Sequence, residues 1–232
     1  MISQKKPILL LDIGNVLFTV NMDYVYSKLV ESQLFDSTSQ AFCYMKAIEQ
    51  IQNLGIASFD TAMLYQYTFN NISKFSDLHT VNSIWLSDEA IIPNKVILDY
   101  VESLVQDKKI TGVVIASNMG IEHKQKIIKS HQLFENDCVM RHFSSDIGSV
   151  KPQYNYWQTL HQRIINKFDF DISDSLIYVD DRVDFLQGAI SYFNEIKCNS
   201  LCTYQYDSSQ TAEKEFSIKI ENIFKYLGEI NA

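Results

Sequence analysis

Glycine and proline are scarce in this chain, seven and three among 232 residues, so each is a candidate turn or helix cap. Cysteine is also too sparse for a disulfide framework. Cys43, Cys138, Cys198 and Cys202 are scattered, only the last two lie close together, and no CxxC pair occurs, which argues against a stapled scaffold or a zinc site. Reduced, mostly buried thiols in a cytosolic compartment are the expectation. Basic residues are outnumbered, 20 against 28 acidic ones, for a net charge of −8. That balance speaks against nucleic acid as a partner. A small pocket can still be locally positive through a metal ion and one lysine. No long hydrophobic run opens the sequence: Met1-Ile-Ser-Gln-Lys-Lys leads only into Ile8 to Leu11, too short for a signal peptide or a membrane span. The expected location is cytoplasmic, with export that uses no cleavable signal left open.

What is present is ordinary core-building material. Hydrophobic residues make up 46% and charged residues 21%, enough for one large domain or a core domain carrying an insertion. Pro7 to Leu11 is a short apolar run that delivers Asp12 to the carboxyl end of a buried strand. From Asn21 to Leu86 the pattern turns helical. Val25, Leu29 and Val30 share one spacing, and Phe42, Met45, Ile48 and Ile51 another, ending near Gly55. Ser58 or Asp60 caps a third helix through Met63, Leu64 and Tyr67, and Val81 and Trp85 suggest a fourth. No strand-like alternation stands out there, so residues 21–86 are expected to form a helical insertion between core segments 1–20 and 87–232.

Pro93 suits the first turn of a helix with Ile97, Tyr100, Val101 and Leu104 on one face. Gly112 to Ala116 is a second buried strand, and shorter apolar segments lie at Cys138 to Met140, Leu176 to Val179 and around Leu201. Helical segments near 154–166 and 183–192 separate them, and Thr211 to Leu227 is amphipathic, with Phe216, Ile220, Ile223 and Phe224 as its stripe. Strands alternating with helices imply an α/β fold, a mostly parallel sheet with helices on both faces. Such folds bind ligands at the carboxyl ends of the strands, which is where Asp12, Ser117 and Asp180–Asp181 fall.

Four segments carry the chemistry, in order: Leu11-Asp12-Ile13-Gly14-Asn15-Val16-Leu17, Val113-Val114-Ile115-Ala116-Ser117-Asn118, Gly148-Ser149-Val150-Lys151-Pro152 and Tyr178-Val179-Asp180-Asp181-Arg182-Val183-Asp184. A carboxylate nucleophile, a hydroxyl, a cation and an acidic pair are what phosphoryl transfer to an aspartate requires. An ionised aspartate attacking a phosphate dianion meets like-charge repulsion that a divalent metal offsets. Magnesium prefers oxygen ligands, so Asp12 needs a second carboxylate, from Asp180 or Asp181. Lys151 neutralises charge on the nucleophile and the transferring oxygens. Ser117, Asn118 and neighbouring backbone N–H groups hold the remaining phosphate oxygens.

These four segments resemble, in order and residue type, the four motifs of the haloacid dehalogenase superfamily. Their Asp-x-Gly-Asn-Val opening is similar to the branch that includes sugar-1-phosphate phosphatases. The resemblance implies a Rossmann-like core, a helical cap at residues 21–86, a magnesium cofactor and a covalent aspartyl phosphate on Asp12. It also implies a metal contact from the Gly14 backbone carbonyl. One departure matters: Gly14 stands where most phosphatases of the superfamily carry a general-acid aspartate. A good leaving group needs less protonation, which favours an anomeric sugar phosphate or a phosphotyrosine, on a small molecule or on a protein.

Each residue also has a plainer role. Asp12 alone could end a strand or cap a helix, Ser117 is an ordinary N-cap candidate before a helix, and Lys151 suits a solvated loop. Asp184 fits a position supporting the metal ligands, or a helix-start charge. His123 and His142 suit packing, although both lie near the motifs, and the insert's tyrosines and Trp85 are mostly core. Two other functions compete. A 2-haloacid dehalogenase attacks through the same aspartate without metal, but usually carries an aromatic residue at the Gly14 position and gains nothing from Asp180–Asp181. A catalytically weak binding module for a phosphorylated partner is the alternative outside enzymology.

Overall fold

The computed structural model describes residues 5–53, 75–198 and 200–230. Five parallel strands form the central sheet: β1 (Ile8–Leu11), β4 (Gly112–Ser117), β5 (Val139–Phe143), β6 (Leu176–Asp180) and β7 (Leu201–Gln205), in the order β5-β4-β1-β6-β7. The chain starts at the centre of the sheet, fills one side and then crosses to the other. The crevice beside β1 is thus flanked by the carboxyl ends of β4 and β6, the place where open α/β sheets bind ligands.

β1, β4 and β6 are buried along their whole length, because successive side chains enter different layers. Leu9, Leu11, Val113, Ile115, Ile177 and Val179 face one core, and Ile8, Leu10, Val114, Ala116, Leu176 and Tyr178 the other. Helices cover both faces. The first core is closed by α4 (Lys95–Gln106), α5 (Ile121–Ser130) and α9 (Glu213–Ile230). The second is closed by α7 (Tyr154–Phe168) and α8 (Val183–Glu195), with Trp157, Leu160, Tyr192 and Phe193 packed inward. Each such apolar side chain taken out of water contributes roughly 1.5–3 kcal/mol.

Between the first and second sheet strands lie α1 (Met22–Glu31), α2 (Thr38–Asn53) and α3 (Phe75–Trp85), with α1 against both others. The inward face of α2 differs from the sequence expectation. Ala41, Tyr44, Met45 and Ile48 are buried while Phe42 is 46% exposed, so the stripe runs one position away from the residue that seemed to begin it. The third helix expected through Met63, Leu64 and Tyr67, with its cap at Ser58 or Asp60, and the helix end near Gly55, lie outside the described residues. The apolar cluster of the first sheet face continues through Val25, Leu29 and Ile48 into these helices.

Two short strands went unanticipated. β2 (Phe18–Val20) pairs antiparallel with β3 (Ile91–Pro93), joining Phe18 to Pro93 and Val20 to Ile91. Pro93 therefore ends a strand instead of opening a helix. Asn94 caps α4 in its place, its side chain accepting from the Ile97 N–H. Three-residue strands leave too little periodicity to be seen in a sequence. The thiols also depart from expectation: Cys198 is buried and Cys202 partly so, but Cys43 and Cys138 are exposed, and none of the four is in a disulfide.

Candidate active site

Asp12 follows β1 directly and is buried, its backbone N–H donating to the Val179 carbonyl of the neighbouring strand. Ser117 is the last residue of β4 and Asp180 the last of β6. The sheet register therefore brings three of the motifs together. Ser117 does not cap the following helix: α5 begins at Ile121, after Gly120.

Lys151 arrives from the loop between α6 (Ser144–Ile147) and α7, and only 1% of it is exposed. Its ammonium donates to Asp12 Oδ1 at 2.7 Å, Asp180 Oδ2 at 2.6 Å and the Ala116 carbonyl at 3.0 Å. All three donors of a lysine are thereby used. Burial works against the charge, but Asp12 and Asp180 outweigh it and hold the lysine above its ordinary pKa. Burial raises the Asp12 carboxyl above the usual carboxylate range; Lys151 pulls it down and Asp180 pushes it up.

Two residues hold Lys151 in place. The Asn118 side chain accepts from the Lys151 N–H at 2.8 Å and donates to the Lys151 carbonyl at 3.1 Å. Its amide thus works as a clamp on the lysine loop, while Asn118 also lines the cavity beside Ser117. On the other side, the loop lies against Gly188 of α8: a β-carbon there would sit 2.6 Å from Pro152 Cβ and 2.9 Å from its carbonyl oxygen. Only glycine allows that approach.

Adjacent in sequence, Asp180 and Asp181 differ in role. Asp180 is fully buried and held by three donors: Oδ2 accepts from Lys151 and from the Tyr178 hydroxyl, and Oδ1 from the Arg182 N–H at 2.9 Å. Asp181 instead opens into the cavity beside Asp12, its Oδ2 accepting from the Asn15 amide at 3.0 Å. Burial and the nearby Asp12 charge push its carboxyl up to about 7. Asn15 occupies a left-handed conformation, φ 53°, which asparagine tolerates better than most residues. Its placement, like the buttressing by Tyr178, was not legible beforehand, although both residues stand inside the motifs.

Asp184 is not part of this group. It sits in the first turn of α8, where Arg182 contacts it through two nitrogens at 3.0 and 2.7 Å, and that pair holds its carboxyl below the usual range. Arg182 stacks over the Phe185 ring at 4.0 Å. His142 is wholly buried against Tyr156, whereas His123 lines the cavity, its ring edge-on to Trp85.

Oxygen atoms of Asp12, Asp180 and Asp181 lie within 4.8 Å of one another. Three carboxylates share one ammonium, so when ionised the group carries an excess of two negative charges. An all-oxygen donor set with that excess fits a hard divalent cation. Asp12 and Asp181 have the free access to hold it; Asp180 is engaged by its own donors.

The sequence matches no protein-family model and no curated protein at a significant level. Among solved structures, the chain is similar to a haloacid dehalogenase (HAD) family enzyme from Bacteroides thetaiotaomicron, at 15% identity and TM-score 0.67 over 92% of this chain and 99% of that one. The same enzyme in complex with magnesium and inorganic phosphate matches over 91% of this chain and 99% of that one, again at 15% identity and TM-score 0.67. An L-2-haloacid dehalogenase from Xanthobacter autotrophicus with covalently bound chloropropionic acid aligns at 11% identity and TM-score 0.60, covering 86% and 77% of the two chains. At these identities the likeness establishes the fold, a Rossmann-like α/β architecture shared by enzymes that attack different bonds.

Proposed function

We propose that this chain, with its haloacid dehalogenase fold, is a magnesium-dependent phosphomonoester hydrolase with Asp12 as nucleophile. The observation that carries the reading is the charge count at the site. Asp12, Asp180 and Asp181 face one another with Lys151 as the shared ammonium, and Lys151 touches only the first two. A dehalogenase that works without metal gains nothing from the third carboxylate. The magnesium and phosphate bound by the Bacteroides enzyme of the same fold point the same way.

Asp12, Asp181 and the backbone carbonyl of Gly14, which lines the same cavity, would hold the ion. When bound, magnesium supplies the positive charge that lets a carboxylate approach a phosphate dianion. The rest is done by the protein. Lys151 fixes Asp12 through Oδ1, which leaves Oδ2 on the Gly14 side. A carboxylate oxygen of Asp12 attacks phosphorus, the bond from phosphorus to the leaving oxygen breaks, and its electron pair departs with that oxygen. Water then attacks the aspartyl phosphate, releasing inorganic phosphate and restoring Asp12. Ser117, at the end of β4, lines the cavity as the hydroxyl donor for a phosphate oxygen. The insert expected at residues 21–86 is read as a cap, and of its described helices α3 reaches this cavity, through Trp85. The substrate class fits an ester with an acidic leaving group, a sugar 1-phosphate or an aryl phosphate such as phosphotyrosine.

The test is release of p-nitrophenol from p-nitrophenyl phosphate, with magnesium and with chelator, for wild type and Asp12→Asn. Magnesium-dependent turnover that falls on the order of 10³-fold or more in the variant is expected. Turnover indifferent to chelator, or retained by Asp12→Asn, would sink the assignment.

A further inference from the structure

The cavity beside Asp12 has a lining of two chemically different kinds. Asp12, Asp181 and Ser117 make one part of its lining polar; apolar walls come from Phe18 and Val20 of β2, Ile91 of β3, Trp85 of α3 and Ile127 of α5. From these walls we infer that the leaving group is an aromatic ring, so that the substrate is an aryl phosphate monoester. This rests on the phosphatase reading and narrows it.

Three observations carry the inference. First, the described residues of the apolar walls offer a polyol few partners. Two polar side chains beside them are engaged within the protein: Ser144 accepts from the Met119 N–H at 2.9 Å and donates back to its carbonyl, and Arg182 is tied to Asp184 and stacked on Phe185. A sugar bound there would leave hydroxyls without partners, at a cost that an aromatic ring avoids. Second, the size is right. The whole cavity, phosphate site included, measures about 240 Å³, against roughly 150 Å³ for an apolar cavity that holds benzene. Third, the chemistry of departure agrees. Gly14 brings no proton donor beside Asp12, the Asp181 carboxyl is assigned to the metal, and His123, an imidazole in the cavity lining, is held neutral because burial and the Lys126 charge lower its pKa to about 3. A phenol, with a pKa near 10, leaves as its anion with the electron pair of the broken bond and needs no acid. An ordinary alkoxide does need one.

Trp85 is the residue that sets this preference, since it is the largest aromatic side chain in the cavity's lining. The test separates recognition from turnover. Inhibition of the magnesium-loaded enzyme, or direct binding by calorimetry, is compared for phenylphosphonate and methylphosphonate, which carry no leaving group. The phenyl compound is expected to bind at least about tenfold tighter, a difference of about 1.4 kcal/mol. Trp85→Ala should shrink that gap and Trp85→Phe should keep most of it. In parallel, phosphate release is measured from phenyl phosphate, free phosphotyrosine, a phosphotyrosyl peptide, glucose 1-phosphate and glycerol 3-phosphate. Aryl esters should lead; whether the peptide follows free phosphotyrosine identifies a protein or a small molecule as the source. Equal binding of the two phosphonates, with glucose 1-phosphate turned over best, overturns the aryl assignment and leaves the phosphatase standing. Phenylphosphonate preference with no ester hydrolysed upholds the ring pocket and removes the phosphatase. Neither binding preference nor hydrolysis removes both.

Discussion

Among the described residues, two regions gather three potential metal ligands within 4.8 Å, and they differ in almost every other respect. One is Asp12, Asp180 and Asp181 at the carboxyl end of the sheet. The other is Asp99, Glu102 and His131, where α4 meets the segment after α5. In the second, Asp99 is half in water and Glu102 accepts from the side-chain amides of Gln132 and Gln106. His131 Nδ1 accepts from the Leu133 N–H, and its Nε2 faces Asp99 at 3.7 Å. Water and local partners satisfy that cluster. The buried one is instead held together by a single ammonium and has charge to spare. Composition makes a cluster; burial and an unbalanced charge make a site.

The largest effect should come from removing the shared ammonium. Lys151→Ala leaves Asp12 and Asp180 facing each other without a cation, and loss of one partner from a buried ionic group costs about 3–5 kcal/mol. Chemical denaturation of the metal-free protein should show a loss of that size, together with loss of activity. A change below about 1 kcal/mol would mean that the ammonium does not hold the carboxylates together.

The buried histidines extend the contrast to pH. His142 accepts at Nδ1 from Arg163 and donates from Nε2 to the Tyr156 carbonyl, partners that suit a neutral ring. Burial and the Arg163 cation lower its pKa to about 3, with Lys151 adding in the same direction and the Tyr156 hydrogen bond and Asp146 opposing. The unfolded chain binds this proton near 6.5 and the folded chain does not. The stabilisation is therefore whole above pH 6.5 and is lost as pH falls from 6.5 toward 3, at about 1.4 kcal/mol per unit. The stability difference between wild type and His142→Gln, followed from pH 7 to pH 4, isolates that slope. A flat difference would show that the folded protein accepts the proton.

Much of this arrangement could be read in advance, and the limits have physical causes. The apolar runs at Ile8–Leu11 and Gly112–Ala116 announce central strands, because a strand buried on both faces of a sheet needs such continuity. Asp12, Ser117 and the acidic pair follow from where those strands end. The division of labour between Asp180 and Asp181 did not follow. It depends on which face of the loop meets Lys151 and Tyr178, a matter of tertiary geometry. Asn118 reads as a phosphate ligand because it neighbours Ser117; only the fold reveals that its amide also spans both backbone polar groups of Lys151. The ribbon of β2 and β3 was hidden by its length, yet it supplies Phe18, Val20 and Ile91 to the cavity.

Smaller effects refine the comparison from its edges. Gly188→Ala places a methyl group against Pro152, a rigid residue next to Lys151. Overpacking of this kind costs about 1–3 kcal/mol, and here the strain is passed to the ammonium, so kcat should fall more than KM changes. A drop in stability with kcat unchanged would separate the loop from the site. At the surface cluster, Glu102→Gln exchanges a solvated carboxylate for an amide that can still accept from Gln132. Such a change should stay within about 0.5 kcal/mol and leave the magnesium dependence of activity untouched. If Glu102→Gln instead weakened magnesium binding measured by calorimetry, the exposed cluster would be a second cation site. Burial would then no longer explain which of the two groups binds metal.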